Sequence, residues 1–90
     1  MPDMEGALAE LAGLQRLAAQ TEERATRVRQ HAAGARDNAA RETARGNDGA
    51  AMLHRLEAEA HERAATVIEK TAAVYRRRIA RVSRMASRRG

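Results

Sequence analysis

The residues of this chain best suited to binding are arginines, and they are concentrated in its last part. Residues 70–90 contain eight basic side chains and no acidic one, whereas residues 1–69 carry a net charge of −3. A guanidinium group binds phosphates and carboxylates through paired N–H donors. The sequence therefore predicts a surface for nucleic acid or for an acidic protein, formed by Arg76, Arg77, Arg78, Arg81, Arg84, Arg88 and Arg89.

Two other interpretations of this basic segment remain open. Positive charge near the end of a helix compensates the negative end of its dipole, which is a purely structural role. An anionic membrane surface ranks behind protein and nucleic acid, because the apolar side of the segment lacks the Trp, Phe or Leu residues that insert into lipid. Sequence-specific reading of bases is not expected, since the chain has no recognisable DNA-binding motif.

The histidines raise the question of a metal site. His54 and His61 lie seven residues apart on the same helical face as Glu57. His61 and Glu62 begin an H-E-x-x-H pattern, but Ala65 occupies the position of the second histidine, so the zinc motif is incomplete. We therefore predict that His54 and His61 are solvated side chains on the outer face, and that the chain holds no metal or other cofactor.

Patterns for catalysis and for calcium binding are also incomplete. Residues 47–49 read Asn-Asp-Gly, part of a calcium loop without the alternating acidic ligands and the terminal Glu. The chain has no cysteine, no serine with a histidine and an acid in a recognisable arrangement, and no glycine-rich phosphate loop after a strand. The sequence consequently predicts a protein that is not an enzyme.

The elements that position these residues are helices, divided by one short segment near the middle of the chain. Residues 45–49 read Arg-Gly-Asn-Asp-Gly. Gly46 can adopt the left-handed conformation that ends a helix, and Asn47 or Asp48 can cap the next helix through a side-chain oxygen. We predict an all-α fold: an antiparallel, coiled-coil-like two-helix hairpin. Its single domain, 1–90, has a helix at about 4–45, a turn at 46–49 and a helix at about 50–88.

A seven-residue repeat of apolar and small residues runs along the first arm, as in a coiled coil. One set of repeat positions is Met4, Leu11, Ala18, Ala25, Ala32 and Ala39, and the other is Ala7, Leu14, Thr21, Val28, Ala35 and Glu42. Leu8 and Leu17 widen the apolar face, so the strongest association site is expected at the open end of the hairpin. Gly34 lies within this repeat and predicts a kink or local fraying.

The second arm has a broader apolar stripe, with steps of three and four residues. Its members are Leu53, Leu56, Ala60, Ala64, Val67, Thr71, Tyr75, Val82 and Ala86, and it is broadened by Ile68, Ala72, Val74 and Ile79. This spacing is close to 3.6 residues and is not a strict seven-residue repeat. It predicts a wide face that contacts two neighbours rather than one.

Composition leaves the core of such a hairpin small. Of the 90 residues 22 are alanine, and the chain has no Phe, no Trp and one Tyr. Because each buried Leu, Ile or Val contributes only about 1.5–3 kcal/mol, an isolated hairpin should be marginally stable. We therefore expect self-association into a bundle, or a helical protein partner, to complete the core.

These observations favour a non-enzymatic interaction or assembly protein that acts through coiled-coil contacts. The alternative is a nucleic-acid-binding accessory protein that uses the basic segment. The expected protein interface consists of Leu8, Leu11, Leu14, Leu17, Val28, Leu53, Leu56, Val67, Ile68, Tyr75, Ile79 and Val82.

The turn at 45–49 and the pair Tyr75 and Ile79 allow a comparison with known helical hairpins. In length and outline the chain resembles the WXG100 class of small secreted hairpins, which implies a third possible function of that kind. The turn has no Trp, however, and Ile79 stands where that family's secretion signal has an acid, so no site residue is carried over. Hairpin subunits and chaperones of secretion systems and phage assembly proteins share the same outline.

The first five residues are acidic where a signal peptide is basic, and the long apolar stretches are interrupted by charge. These features predict a cytoplasmic protein with no membrane span, with leaderless secretion as the alternative. The 16 arginines against one lysine are typical of a GC-rich, bacterial-type genome.

Overall fold

The computed structural model describes residues 4–88 of the chain. These residues form two α-helices, α1 at Met4–Ala44 and α2 at Asp48–Ser87, joined by three residues. The helices pack against each other into a rod with principal dimensions of 68 × 14 × 14 Å. The prediction of an all-α helical hairpin is confirmed, although α2 begins two residues earlier than expected.

A glycine ends α1 and starts the turn. Gly46 has a φ of +80°, the left-handed conformation that the sequence predicted. The amide of Asn47 donates a hydrogen bond to the carbonyl oxygen of Glu42 at 2.8 Å, and the amide of Gly46 donates to the carbonyl oxygen of Thr43 at 3.0 Å. This pair of bonds is the Schellman arrangement, which satisfies carbonyl groups that the end of a helix leaves without partners.

The predicted side-chain cap of α2 is wrong. Asn47 is the N-cap residue, but its side chain makes no capping hydrogen bond. Its Nδ2 instead donates to Oε2 of Glu42 at 2.8 Å, and Arg45 Nη1 donates to Oε1 of the same carboxylate at 3.2 Å. The bond from Asn47, with a smaller effect from Arg45, lowers the pKa of Glu42. The Asn47 side chain thus links the turn back to α1 rather than forward to α2.

The core between the helices consists of alanine. Nine alanine side chains are buried, each 0–4% exposed, and we call them the alanine seam: Ala18, Ala25, Ala32, Ala35 and Ala39 of α1, and Ala51, Ala58, Ala65 and Ala72 of α2. Eight of the nine recur at seven-residue intervals, the spacing that keeps one face of a helix against its partner. Because an alanine side chain ends at Cβ, the two backbones can approach closely.

Larger apolar side chains flank the seam and are half-buried. Seven of the predicted interface residues lie here: Leu11, Leu14, Val28, Ile68, Tyr75, Ile79 and Val82. On α1 the predicted repeat is confirmed along most of its length, with Met4 exposed at the start of the helix. The helix is continuous through Gly34, so the predicted local fraying does not occur.

The face that α2 turns toward α1 differs from the predicted stripe. Its buried alanines follow a strict seven-residue repeat, whereas Leu53, Leu56 and Val67 lie outside the seam with 69%, 52% and 64% of their surfaces exposed. The predicted stripe is therefore wrong for these three residues and for its lack of a seven-residue repeat, whereas its later members Ala72, Tyr75 and Val82 are buried or half-buried. Two long helices at close distance need the smallest side chains at every seventh position, and the largest aliphatic residues are left on other faces.

Candidate interaction surfaces

Three ion pairs join α1 to α2 along one side of the alanine seam. Arg29 Nε donates to Glu69 Oε2 at 2.8 Å and its Nη2 donates to Oε1 at 2.6 Å, so the pair is bidentate. Arg29 Nη2 also donates to Thr66 Oγ1 at 3.3 Å. The other two pairs, with the same bidentate geometry, are Arg36 with Glu62 and Arg76 with Glu22. We call the three pairs the charge ladder.

The ladder follows the same repeat as the seam, because every member lies four residues after a seam alanine of its own helix. The hydrogen bonds from arginine lower the pKa of the carboxyl groups of Glu22, Glu62 and Glu69, and burial opposes this effect in part. The side chains remain about half exposed, so salt screens their attraction.

Sequence reasoning missed these cross-helix pairs, although a signal was present. Charged residues recur at seven-residue intervals on both arms, at 22, 29 and 36 and at 62, 69 and 76. The sign order on the first arm is acidic, basic, basic. Read backwards, as an antiparallel partner requires, the second arm gives the complementary order basic, acidic, acidic.

The basic residues predicted as an anion-binding set have two different environments. Arg76 belongs to the charge ladder, and Arg78 Nη2 donates to Glu10 Oε1 at 2.9 Å on the opposite side of the seam. These two arginines therefore connect α2 to α1 through ion pairs. Four others are exposed and form no ion pair with a carboxylate of residues 4–88: Arg77, Arg81, Arg84 and Arg88. Arg89 lies outside the described residues.

Most of the large exposed apolar side chains lie in two areas. One is the open end of the hairpin, where Leu8, Leu17 and Met85 are 57%, 44% and 55% exposed. The other is the outward side of α2, which carries three residues of the predicted interface together with Val74. The predicted interface set is therefore divided between the seam of the hairpin and these two external areas.

The prediction that His54 and His61 lie on the outer face is wrong. Both side chains are half-buried beside the seam, because each lies three residues after a seam alanine. The rings of His61 and His31 have centroids 5.7 Å apart. Glu57 lies between His54 and His61, with its carboxylate oxygens 3.6 Å from His54 Nδ1 and 3.8 Å from His61 Nε2. Within the described part of the chain, no group of three or more His, Cys, Asp or Glu residues has an arrangement that could hold a metal ion.

No helix in residues 4–88 has the length and apolar character needed to cross a membrane. Comparison of the chain with protein-family models, with curated proteins and with solved structures gives no match.

Proposed function

We propose that this protein is a non-enzymatic helical interaction protein that acts in assembly through coiled-coil contacts with helices outside its own hairpin. The observation that carries the proposal is the distribution of side-chain size: alanine fills the seam, while larger aliphatic residues remain exposed. Leu53, Leu56, Val67 and Val74 cluster on the outward side of α2. A soluble helix with such a side is stabilised when another helix covers it.

The occupant of this surface is either a second copy of the chain or a helix of a different protein. A second copy is tested by light scattering on a sizing column, at low and at high salt, over a range of protein concentrations. Self-association predicts a mass above the 9.8 kDa of one chain, with little dependence on salt. The double variant Leu53→Gln/Val67→Gln should return the mass to that of a monomer.

The matched control is Ala33→Gln/Ala40→Gln, which places the same polar side chains on the exposed surface of α1. It should leave the mass unchanged. If the wild-type protein is a monomer, the occupant must be a helix of a different protein. Binding of helical peptides, described below, tests that case. A wild-type chain that neither self-associates nor binds helical peptides would overturn the proposed function.

Binding of nucleic acid is the second candidate, and it is favoured by the exposed, unpaired arginines near the end of α2. Phosphate contacts made by Arg77, Arg81 and Arg84 should produce an affinity that falls steeply between about 50 and 200 mM salt. The test is fluorescence anisotropy with a DNA duplex and with single-stranded RNA. Deleting the end of α2 would also remove arginines that hold the hairpin, so point substitutions are the sharper test.

The triple variant Arg77→Gln/Arg81→Gln/Arg84→Gln should bind the nucleic acid much more weakly, and its affinity should depend less on salt. Its matched control is Arg16→Gln/Arg24→Gln/Arg41→Gln, which removes the same charge from the exposed surface of α1. Equal losses in the two variants would mean that net charge alone attracts the nucleic acid, and the second candidate would then be abandoned.

A further inference from the structure

The outward side of α2 carries a row of aliphatic residues in register with the alanine seam. Each member follows a seam alanine by two residues, which is about 200° around the helix. We call this set the hydrophobic row: Leu53, Ala60, Val67 and Val74. Leu53 is 69% exposed, Val67 64% and Val74 52%, so formation of the hairpin leaves the row largely uncovered.

A row of basic residues follows the same repeat beside it. We call this set the basic row: Arg63, Lys70, Arg77 and Arg84. The first three lie three residues after a member of the hydrophobic row, and residues three apart are neighbours on the surface of a helix. All four are exposed and form no ion pair with a carboxylate in the described part of the chain, whereas the ladder arginines are all paired.

We propose that the two rows together dock an acidic amphipathic helix of a different protein. The inference rests on the proposed function and specifies its partner. In a coiled coil, apolar residues of the two helices interdigitate and complementary charges flank them. A partner helix with Leu or Val on one side and Glu or Asp beside it would cover the hydrophobic row and supply carboxylates to the basic row. The three pairs of neighbouring positions in the two rows span residues 60–77, a length of about 26 Å.

A second copy of the chain fits this surface less well. In a two-fold pair with the hydrophobic rows in contact and the α2 helices antiparallel, the two basic rows would lie beside each other. Like charges facing each other across a helical interface oppose that pairing. The charge pattern of α2 therefore favours an acidic partner over antiparallel self-association at this surface.

A nucleic acid or a lipid surface also fits the two rows less well than an acidic helix does. A phosphate backbone would bind the basic row but leave the hydrophobic row uncovered. An interfacial membrane helix relies on Trp, Phe or Leu for insertion, and the hydrophobic row contains one leucine, one alanine and two valines. Both partners are nevertheless included in the test.

The test measures binding of two synthetic helical peptides to the full chain by fluorescence anisotropy. One peptide has leucine at its repeat positions and glutamate beside them; the other has lysine in place of each glutamate. We expect the acidic peptide to bind about tenfold tighter or more. The variant Lys70→Glu/Arg77→Glu should reverse the preference, and Val67→Gln should weaken both peptides.

The control variant Arg16→Glu/Arg41→Glu makes the same change of charge on the exposed surface of α1, and it should keep the preference for the acidic peptide. Equal binding of the two peptides, or reversal by the control variant, would overturn the inference. Anionic phosphatidylglycerol vesicles or a DNA duplex that displaced the peptide and required Lys70, Arg77 and Val67 would also overturn it, in favour of lipid or nucleic acid.

The outcome also separates this inference from the proposed function. Self-association that requires Val67, without binding of either peptide, would end the inference and leave the proposed function standing. A monomer that binds neither peptide would end both.

Discussion

Enlarging one residue of the alanine seam should destabilise the hairpin, whereas the same change at the next residue should not. Ala32 is 3% exposed in the middle of α1, and Ala33 beside it is exposed. Ala32→Leu adds three carbon atoms to a side chain that is already buried between the two helices. Overpacking of this kind costs about 1–3 kcal/mol of unfolding free energy, through displaced backbone and strained rotamers.

The magnitude can be measured by thermal unfolding, followed by circular dichroism at a fixed protein concentration. For a domain of this size, each kcal/mol lost lowers the midpoint by about 4–8 °C. Ala33→Leu changes helix propensity by the same amount as Ala32→Leu but meets solvent, so its effect should stay within about 0.5 kcal/mol. Equal stability of the two variants, or a gain in stability for Ala32→Leu, would refute the idea that close approach at alanine holds the helices together.

Four other predictions concern the helix interior, the turn and the charge ladder. Gly34→Ala should stabilise the hairpin by about 0.4–1 kcal/mol, because α1 is continuous there and no atom lies within 4 Å of the added Cβ; Gly46→Ala should destabilise it by about 1–2 kcal/mol, because of the positive φ. Urea unfolding measures the free energy of unfolding of both variants. Equal changes in the two would contradict a helical Gly34 and a left-handed Gly46. Arg29→Glu should lower the unfolding midpoint, and adding Glu69→Arg should restore part of the loss; a double variant no more stable than Arg29→Glu would argue against direct pairing. Because the ladder carboxyl groups have lowered pKa values, their contribution is present above the unfolded pKa and is lost as pH falls through the folded pKa. Acidification from about pH 5.5 to 3 should therefore lower the midpoint, less so when the ladder glutamates are replaced by glutamine, and an unchanged pH dependence in that variant would count against the ladder.

The first arm and the turn could be predicted from the sequence because several local signals agree. The repeat of Leu11, Ala18 and Ala25 indicates one buried face, and Gly46 stands where a helix must end in the left-handed conformation. The capping atom could not be predicted in the same way. The Asn47 side chain can bond either forward to an amide of α2 or backward to Glu42, and only the path of the turn decides between them.

The packing face of the second arm was misjudged because hydrophobicity and packing favour different residues. Leu53 and Val67 dominate any search for apolar periodicity, whereas the hairpin buries Ala51, Ala58 and Ala65. Their match to the alanine repeat of the first arm was the informative signal. The inward position of His54 and His61 follows from that match, since both lie three residues after a seam alanine.

The order of acidic and basic residues in the charge ladder favours one alignment of the two helices. The alanine seam alone would fit equally well in alignments that differ by seven residues. A core that repeats alanine every seven residues is almost unchanged when one helix slides by seven residues along the other. After one such slide Glu22 would face Glu69 and Arg36 would face Arg55; after the opposite slide Arg29 would face Arg76. Translational slip is therefore opposed by electrostatic repulsion as well as by the short turn. The two helices should find the same alignment even if a longer, flexible linker joined them.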